Sequence, residues 1–197
     1  MSDLQLNALL GSRICHDLIS PLGAIANGVE LLLMSGAAAT PEVALIAESV
    51  ANANARIRFF RVAFGASSPD QRMGRPEITS ILSDITAGGK LGFDWSIPGD
   101  LPRPEVKLAF LAMQCCETAM PYGGTLSFAR INAKWRIHAK ASKLKIDTGL
   151  WSALQTPVPM ADVSSAHVHF ALFAAEIDAQ RRKLQLDTSA IDLVLAF

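Results

Sequence analysis

The residues in this 197-residue chain best suited to chemistry lie together near its start: Arg13-Ile14-Cys15-His16-Asp17-Leu18-Ile19-Ser20-Pro21. A neutral imidazole nitrogen is a competent nucleophile near pH 7. Asp17 directly follows His16, and its carboxylate is placed to hold the other ring nitrogen protonated and so to fix the tautomer. On a helix turning 100° per residue, Ser12, Ile19, Ser20, Gly23 and Asn27 share the face of His16. Nearly all of these are small, so a phosphate-bearing group could come close to the ring. Pro21 removes one backbone hydrogen bond and can kink the helix one turn beyond the histidine. Arg13 lies near the same face, either as a contact for acids of a partner or as a solvated charge. A lone exposed histidine is ordinarily a solvated surface residue, so it is this company that makes His16 a candidate. Ile19 alone would be a single exposed apolar residue that needs no explanation.

The remaining groups of this kind read as structural. His167 and His169 stand two apart on a helix and face different directions, so they cannot share a metal. His138 alternates with apolar residues in a strand pattern. Cys115 and Cys116 are adjacent, Cys15 is far from them, and no CxxC spacing occurs. Free buried thiols in a reducing cytosol fit that usage. Phe59-Phe60 reads as core and junction packing.

Two long helices must position His16. The first is predicted over residues 4–34, with an apolar stripe of Leu18, Leu22, Ile25, Val29 and Leu32 lying ~160–240° from the histidine. Ser35-Gly36 ends it. Thr40 as N-cap, Pro41 at the first helical position and Glu42 in the first turn announce the second. That helix carries Val43, Ile46, Val50, Ala53, Ile57, Phe60 and Phe64, an alternation of threes and fours that makes a coiled-coil-like seam. Arg56 and Arg61 on it could steer a partner. One hairpin cannot bury both sides of such a seam, whereas two hairpins from two chains would close a four-helix bundle.

Composition agrees with shared apolar surface. Half the chain is apolar (50%) and 18% is charged, below the usual quarter, with 18 Lys plus Arg against 18 Asp plus Glu. A zero net charge argues against the counterion release on which nucleic-acid binding depends, and so apolar a chain is not disordered. The N-terminus lacks the basic start and unbroken apolar core of a signal peptide. Glu30, Asp84, Glu117 and Glu176 interrupt the apolar stretches, so no membrane span is expected and a cytoplasmic location is.

A breaker-rich stretch, Gly65 to Asp70 and then Met73-Gly74-Arg75-Pro76, divides the chain into a hairpin (1–68) and a second domain (69–197). In the second domain, helices are predicted at 76–87, 104–120, 148–155 and 164–180. Strands are predicted at 90–97, 124–131, 134–141 and 143–147, with a final hairpin at 182–187 and 191–196. The order suggests an α+β domain, with helices on one face of a mostly antiparallel sheet.

His16, Asp17 and Pro21 fill the places of the phosphoacceptor motif in the dimerisation and histidine-phosphotransfer hairpin of histidine kinases, which the first domain resembles. The second domain resembles the α/β sandwich of a kinase ATP-binding domain, but with its ATP site lost. Residues 108–120, the helix that should supply a magnesium-holding Asn, contain none. Asp147-Thr148-Gly149 is similar to the adenine turn, yet Leu150-Trp151 follows where a second glycine belongs, and beyond Gly149 there is no glycine for a phosphate lid. The whole chain resembles the ChpT-type histidine phosphotransferases of the alphaproteobacterial cell-cycle phosphorelay. That likeness is strongest over Cys15 to Ile25 and over Arg61-Val62-Ala63-Phe64-Gly65-Ala66-Ser67.

The resemblance implies a homodimer that relays phosphate through His16, oriented by Asp17. Ser12, Arg13, Ile19, Ser20, Gly23 and Asn27 would form the docking surface for receiver domains. The donor would be the receiver of a hybrid kinase of the CckA type, and the acceptors response regulators of the CtrA and CpdR type. No cofactor of its own is expected; magnesium would arrive with the receiver, and neither nucleic acid nor membrane is a partner. Two other readings remain: a divergent ATP-using histidine kinase, and a non-catalytic dimeric scaffold or antikinase.

Overall fold

The structure is a computed structural model that describes residues 3–34, 40–155 and 163–197. The expected helix stop at Ser35-Gly36 lies outside the described residues. The chain divides into two compact units, 1–66 and 67–197.

The first unit is a helical hairpin of α1 (Asp3–Met34) and α2 (Pro41–Ala63). The entry into α2 follows its sequence signals. Thr40 is the N-cap, its hydroxyl accepting the Val43 N–H at 3.4 Å, and Pro41 occupies the first turn, where a missing N–H costs nothing. At the other end, the Phe64 N–H closes on the Phe60 carbonyl at 2.8 Å.

The two helices meet on a different stripe of α1 from the one the large apolar residues mark. Ala8, Cys15 and Val29 are buried, with Leu4, Gly11, Ile19, Leu22 and Ala26 half-buried between them. Small residues set this approach: a Cβ on Gly11 would stand 3.0 Å from the Phe64 carbonyl oxygen. Leu18, Ile25 and Leu32 of the predicted stripe remain 45–49% exposed, and only Leu22 and Val29 turn inward. On α2, Val50 and Ile57 are buried as predicted, but Ile46 is exposed and its neighbour Ala47 is half-buried instead.

By length and composition, Leu4–Met34 is long and apolar enough to cross a membrane. This corrects the expectation that no stretch qualifies, because Glu30 is the lone charge after Asp17 and does not offset its neighbours. Part of the exposed apolarity gathers on one flank, while Leu6, Leu9, Leu31, Leu33 and Met34 are exposed elsewhere around the helix. Leu10, Ile14, Leu18, Ile25 and Leu32 are exposed on one flank, while His16, Ser20 and Asn27 occupy the opposite flank.

In the second unit a two-stranded ribbon, β1 (Arg72–Met73) with β3 (Leu101–Pro102), accompanies a main sheet of five strands among the described residues. These are β2 (Leu91–Trp95), β4 (Gly124–Ile131), β5 (Lys134–Lys140), β6 (Gln185–Thr188) and β7 (Asp192–Ala196), in the order β2-β4-β5-β7-β6. All neighbours are antiparallel except β2 and β4, which α4 (Arg103–Ala119) connects. The β4–β5 hairpin turns on Asn132 and Ala133, both at positive φ, as a two-residue turn of the type I′ kind requires.

Period-two burial on β4 and β5 puts Leu126, Phe128, Trp135, Ile137 and Ala139 inside, together with Leu193 and Leu195 of β7. Over that face lie α4 and α6 (Val168–Ala179), with α3 (Arg75–Thr86) packed beside β2 and the short α5 (Thr148–Ala153) further along the chain. The expected α+β architecture is therefore present. The predicted helix over 164–180 opens as a short 3-10 turn, Ser165–His167, before α6 begins.

Residues 143–147 correct the strand predicted there: they form none. Leu144 N–H reaches the Ala190 carbonyl (3.1 Å) and Lys145 N–H the Ala119 carbonyl (2.9 Å), bonds to two separate segments rather than to a ladder. The place beside β5 belongs to β7.

Several polar groups of the second unit are paired. Lys107 of α4 and Glu176 of α6 form a buried ion pair at 2.6 Å. Glu105 accepts from Trp135 Nε1 at 3.2 Å and from the guanidinium of Arg130 at 3.1 Å, with Arg182 at 3.6 Å. Removing Lys107 or Glu176 would strand a buried charge, so that pair specifies how α4 sits against α6, while Glu105 ties α4 to β4 and β5.

Candidate functional site

His16 stands midway along α1 with its side chain 84% exposed. Its Nδ1 lies 3.2 Å from Asp17 Oδ1. An ionised carboxylate accepts only, so in the neutral ring Nδ1 carries the proton and donates, which leaves the lone pair on Nε2. The described residues give Nε2 no partner. Asp17 uses both oxygens: Oδ2 accepts from Arg13 Nε at 2.8 Å, one helical turn back. The hydrogen bonds from His16 and Arg13 hold the Asp17 carboxyl below its ordinary range, so it stays an acceptor as the medium is acidified. Pro21, without an N–H, leaves the Asp17 carbonyl lacking its usual i+4 donor, one turn past the imidazole.

The surrounding small residues divide into two groups. Ser20 and Asn27 are exposed beside His16, whereas Ser12, Ile19 and Gly23 are half-buried, between His16 and the hairpin seam. Ser12 serves the fold, because its hydroxyl accepts the Ala66 N–H at 2.8 Å and ties α1 to the chain leaving α2. Gly23 makes no such tie, and a Cβ there would meet nothing within 4 Å. Arg13, predicted as a partner contact or a solvated charge, is a solvent-exposed side chain that also pairs with Asp17. The i,i+4 spacing of these opposite charges is the sequence signal for that pairing.

Other histidines have local duties. His138 pairs with Asp192 across β5 and β7 at 2.8 Å, and His169 Nε2 bonds the Thr118 hydroxyl at 3.0 Å. The three cysteines are free and buried, and burial pushes the Cys115 and Cys116 thiols well up. Among the described residues, no three His, Cys, Asp or Glu side chains gather as they would around a metal ion. Asp147, the residue of the adenine-like turn, caps α5: its Oδ1 accepts the N–H groups of Gly149 (3.0 Å) and Leu150 (3.1 Å).

A hairpin that presents an oriented imidazole, followed in one chain by helices on one face of a five-stranded sheet, is the layout of a histidine phosphotransferase. Residues 75–190 match the family described as histidine phosphotransferase C-terminal domain. The protein phosphotransferase ChpT of Brucella abortus (strain 2308) is 33% identical over 205 residues, spanning all of this chain and 96% of that protein. A solved bacterial phosphotransferase superposes with a TM-score of 0.72 at 28% identity, covering all of this chain and 97% of the other. A histidine kinase domain from Erythrobacter litoralis gives a TM-score of 0.47 at 10% identity, over 90% of this chain and 93% of that one. The chain belongs to the ChpT-type histidine phosphotransferase family.

Proposed function

We propose that His16 is the phosphoryl carrier of this phosphotransferase, taking the group from the aspartyl phosphate of one receiver domain and passing it to the aspartate of another. In each half-reaction, an in-line attack forms one bond to phosphorus and breaks the opposite one. Entering, Nε2–P forms and P–O to the receiver carboxylate breaks; leaving, the order reverses. Nδ1 keeps its proton throughout, and the Asp17 carboxylate beside it stabilises the positive charge the ring gains on phosphorylation.

The observation that carries this reading is the pairing of an engaged Nδ1 with an unengaged, outward Nε2 on a long helix. The donor is the receiver of a hybrid kinase of the CckA type, and the acceptors are response regulators of the CtrA and CpdR type. Magnesium comes with the receiver. Ser20, Gly23 and Asn27, with Ile19 and Ser12 at the margin, form the docking face. Two copies pair through the exposed flank of α1 as a cytoplasmic homodimer. ATP is not the donor, a reading supported by the commitment of Asp147 to its helix cap.

The test mixes the protein with a receiver domain phosphorylated on its aspartate, in the absence of nucleotide. His16 should become acid-labile phosphohistidine, and His16→Ala should abolish transfer while leaving the fold intact by circular dichroism. Transfer that persists in the variant would place the carrier elsewhere. Labelling of His16 by ATP with the protein alone would make this a kinase.

A further inference from the structure

Asp17 is one residue after His16, so the two side chains leave the helix about 100° apart, and an exposed aspartate is free to turn toward water instead. What holds it toward the imidazole is on its other side. Arg13 Nε donates to Oδ2 at 2.8 Å while Oδ1 faces His16 Nδ1 at 3.2 Å, so one carboxylate is fastened at both oxygens. By helical angle Arg13 falls between the two residues it links, one turn toward the N-terminus.

An ion pair between side chains as exposed as these contributes little to stability. Its arginine also precedes its acid, the less favourable order on a helix. Stability therefore does not account for the arrangement, but orientation of the imidazole does.

Resting on the reading of His16 as phosphoryl carrier, we propose that Arg13 is a positioning residue for phosphotransfer: it fixes the Asp17 carboxylate, which fixes the His16 tautomer with Nε2 free to attack. Arg13 then acts through Asp17 and not by touching a receiver.

A small phosphodonor separates the two roles because it has no docking surface. Potassium phosphoramidate phosphorylates histidine directly: Nε2–P forms, P–N breaks, and ammonia leaves with a proton from solvent. With the full chain, Arg13→Gln should slow this labelling about ten-fold, the low end of the loss caused by removing an outer-shell partner. Asp17→Asn should slow it at least as much, and the double variant should be no slower than Asp17→Asn alone. Nitrogen NMR of the His16 ring should show the Nδ1–H tautomer in the wild type and a mixture in Arg13→Gln, with Arg13→Lys intermediate and the melting temperature unchanged.

Labelling by phosphoramidate at the wild-type rate in Arg13→Gln, with an unmoved tautomer, would overturn the proposal. So would slowing seen only with a phosphorylated receiver. If His16→Ala is still phosphorylated at the wild-type rate, the carrier assignment itself fails, a result distinct from either of these.

Discussion

His16 and His169 are the same side chain in opposite surroundings, and the contrast separates an exposed, oriented imidazole from a structural one. His16 stands in water against a carboxylate. His169 is buried on α6 beside Phe170, with its ring against the Thr118 hydroxyl. Burial first, and then the nearby His167, push its pKa down to about 4 from an ordinary 6.5. The folded protein thus keeps His169 neutral where the unfolded chain takes up a proton. Its contribution is complete above pH 6.5, is lost as pH falls from 6.5 toward 4, and changes no further below that. His169→Gln keeps an amide for Thr118 and removes the titration. Urea midpoints of the two proteins should therefore converge as pH is lowered from 6.5 to 4. A gap that stays constant over that window would mean that His169 is not held neutral.

At the scale of elements, α1 serves three directions at once, and this is where the sequence was partly legible. The side His16 occupies could be read from residue spacing, because the stripe of Leu18, Ile25 and Leu32 falls opposite the small residues around the histidine. Which apolar stripe meets α2 could not. Ala8, Gly11, Cys15 and Ala26 look inconspicuous beside Leu18, Ile25 and Leu32, yet close helix approach depends on small residues. The strand predicted at 143–147 failed for a related reason. Lys143-Leu144-Lys145-Ile146-Asp147 alternates correctly, but a strand needs a free neighbour, and β7, far later in the chain, has taken the place beside β5. By contrast, the Thr40-Pro41 start of α2 and the strands over 124–131 and 134–140 were legible because caps, turns and alternation are local.

Gly23 gives this element its own test. A helix-interior glycine costs about 1 kcal/mol relative to alanine, and here nothing within 4 Å of an added Cβ demands it. Gly23→Ala should raise the melting temperature. Gly23→Leu should leave phosphoramidate labelling of His16 unchanged while slowing transfer from a phosphorylated receiver several-fold. Equal rates with both donors would remove Gly23 from the docking face.

For the molecule as a whole, the question is where so much apolar surface goes. Leu10, Ile14, Leu18, Ile25 and Leu32 are 45–57% exposed on one flank of α1 in the single chain. Fully burying a side chain of this size is favourable by about 1.5–3 kcal/mol, so completing the burial of five half-exposed ones, twice over in a symmetric pair, supplies a strong drive to associate. A second hairpin on this flank would close a four-helix bundle and leave His16, on the far side of the helix, open to a receiver. Each copy then keeps its own Arg13–Asp17–His16 cluster within one helix, so dimerisation should not be needed to assemble the nucleophile. Ile25→Glu combined with Leu32→Glu places charges roughly two and a half and four and a half turns from His16 on that face. Sedimentation should show the wild type as a dimer and the double variant as a monomer, with helicity retained and His16 still labelled by phosphoramidate. A variant that remains dimeric would show that this flank of α1 is not where two copies meet. A monomer that can no longer be labelled would show that the imidazole depends on the partner helix.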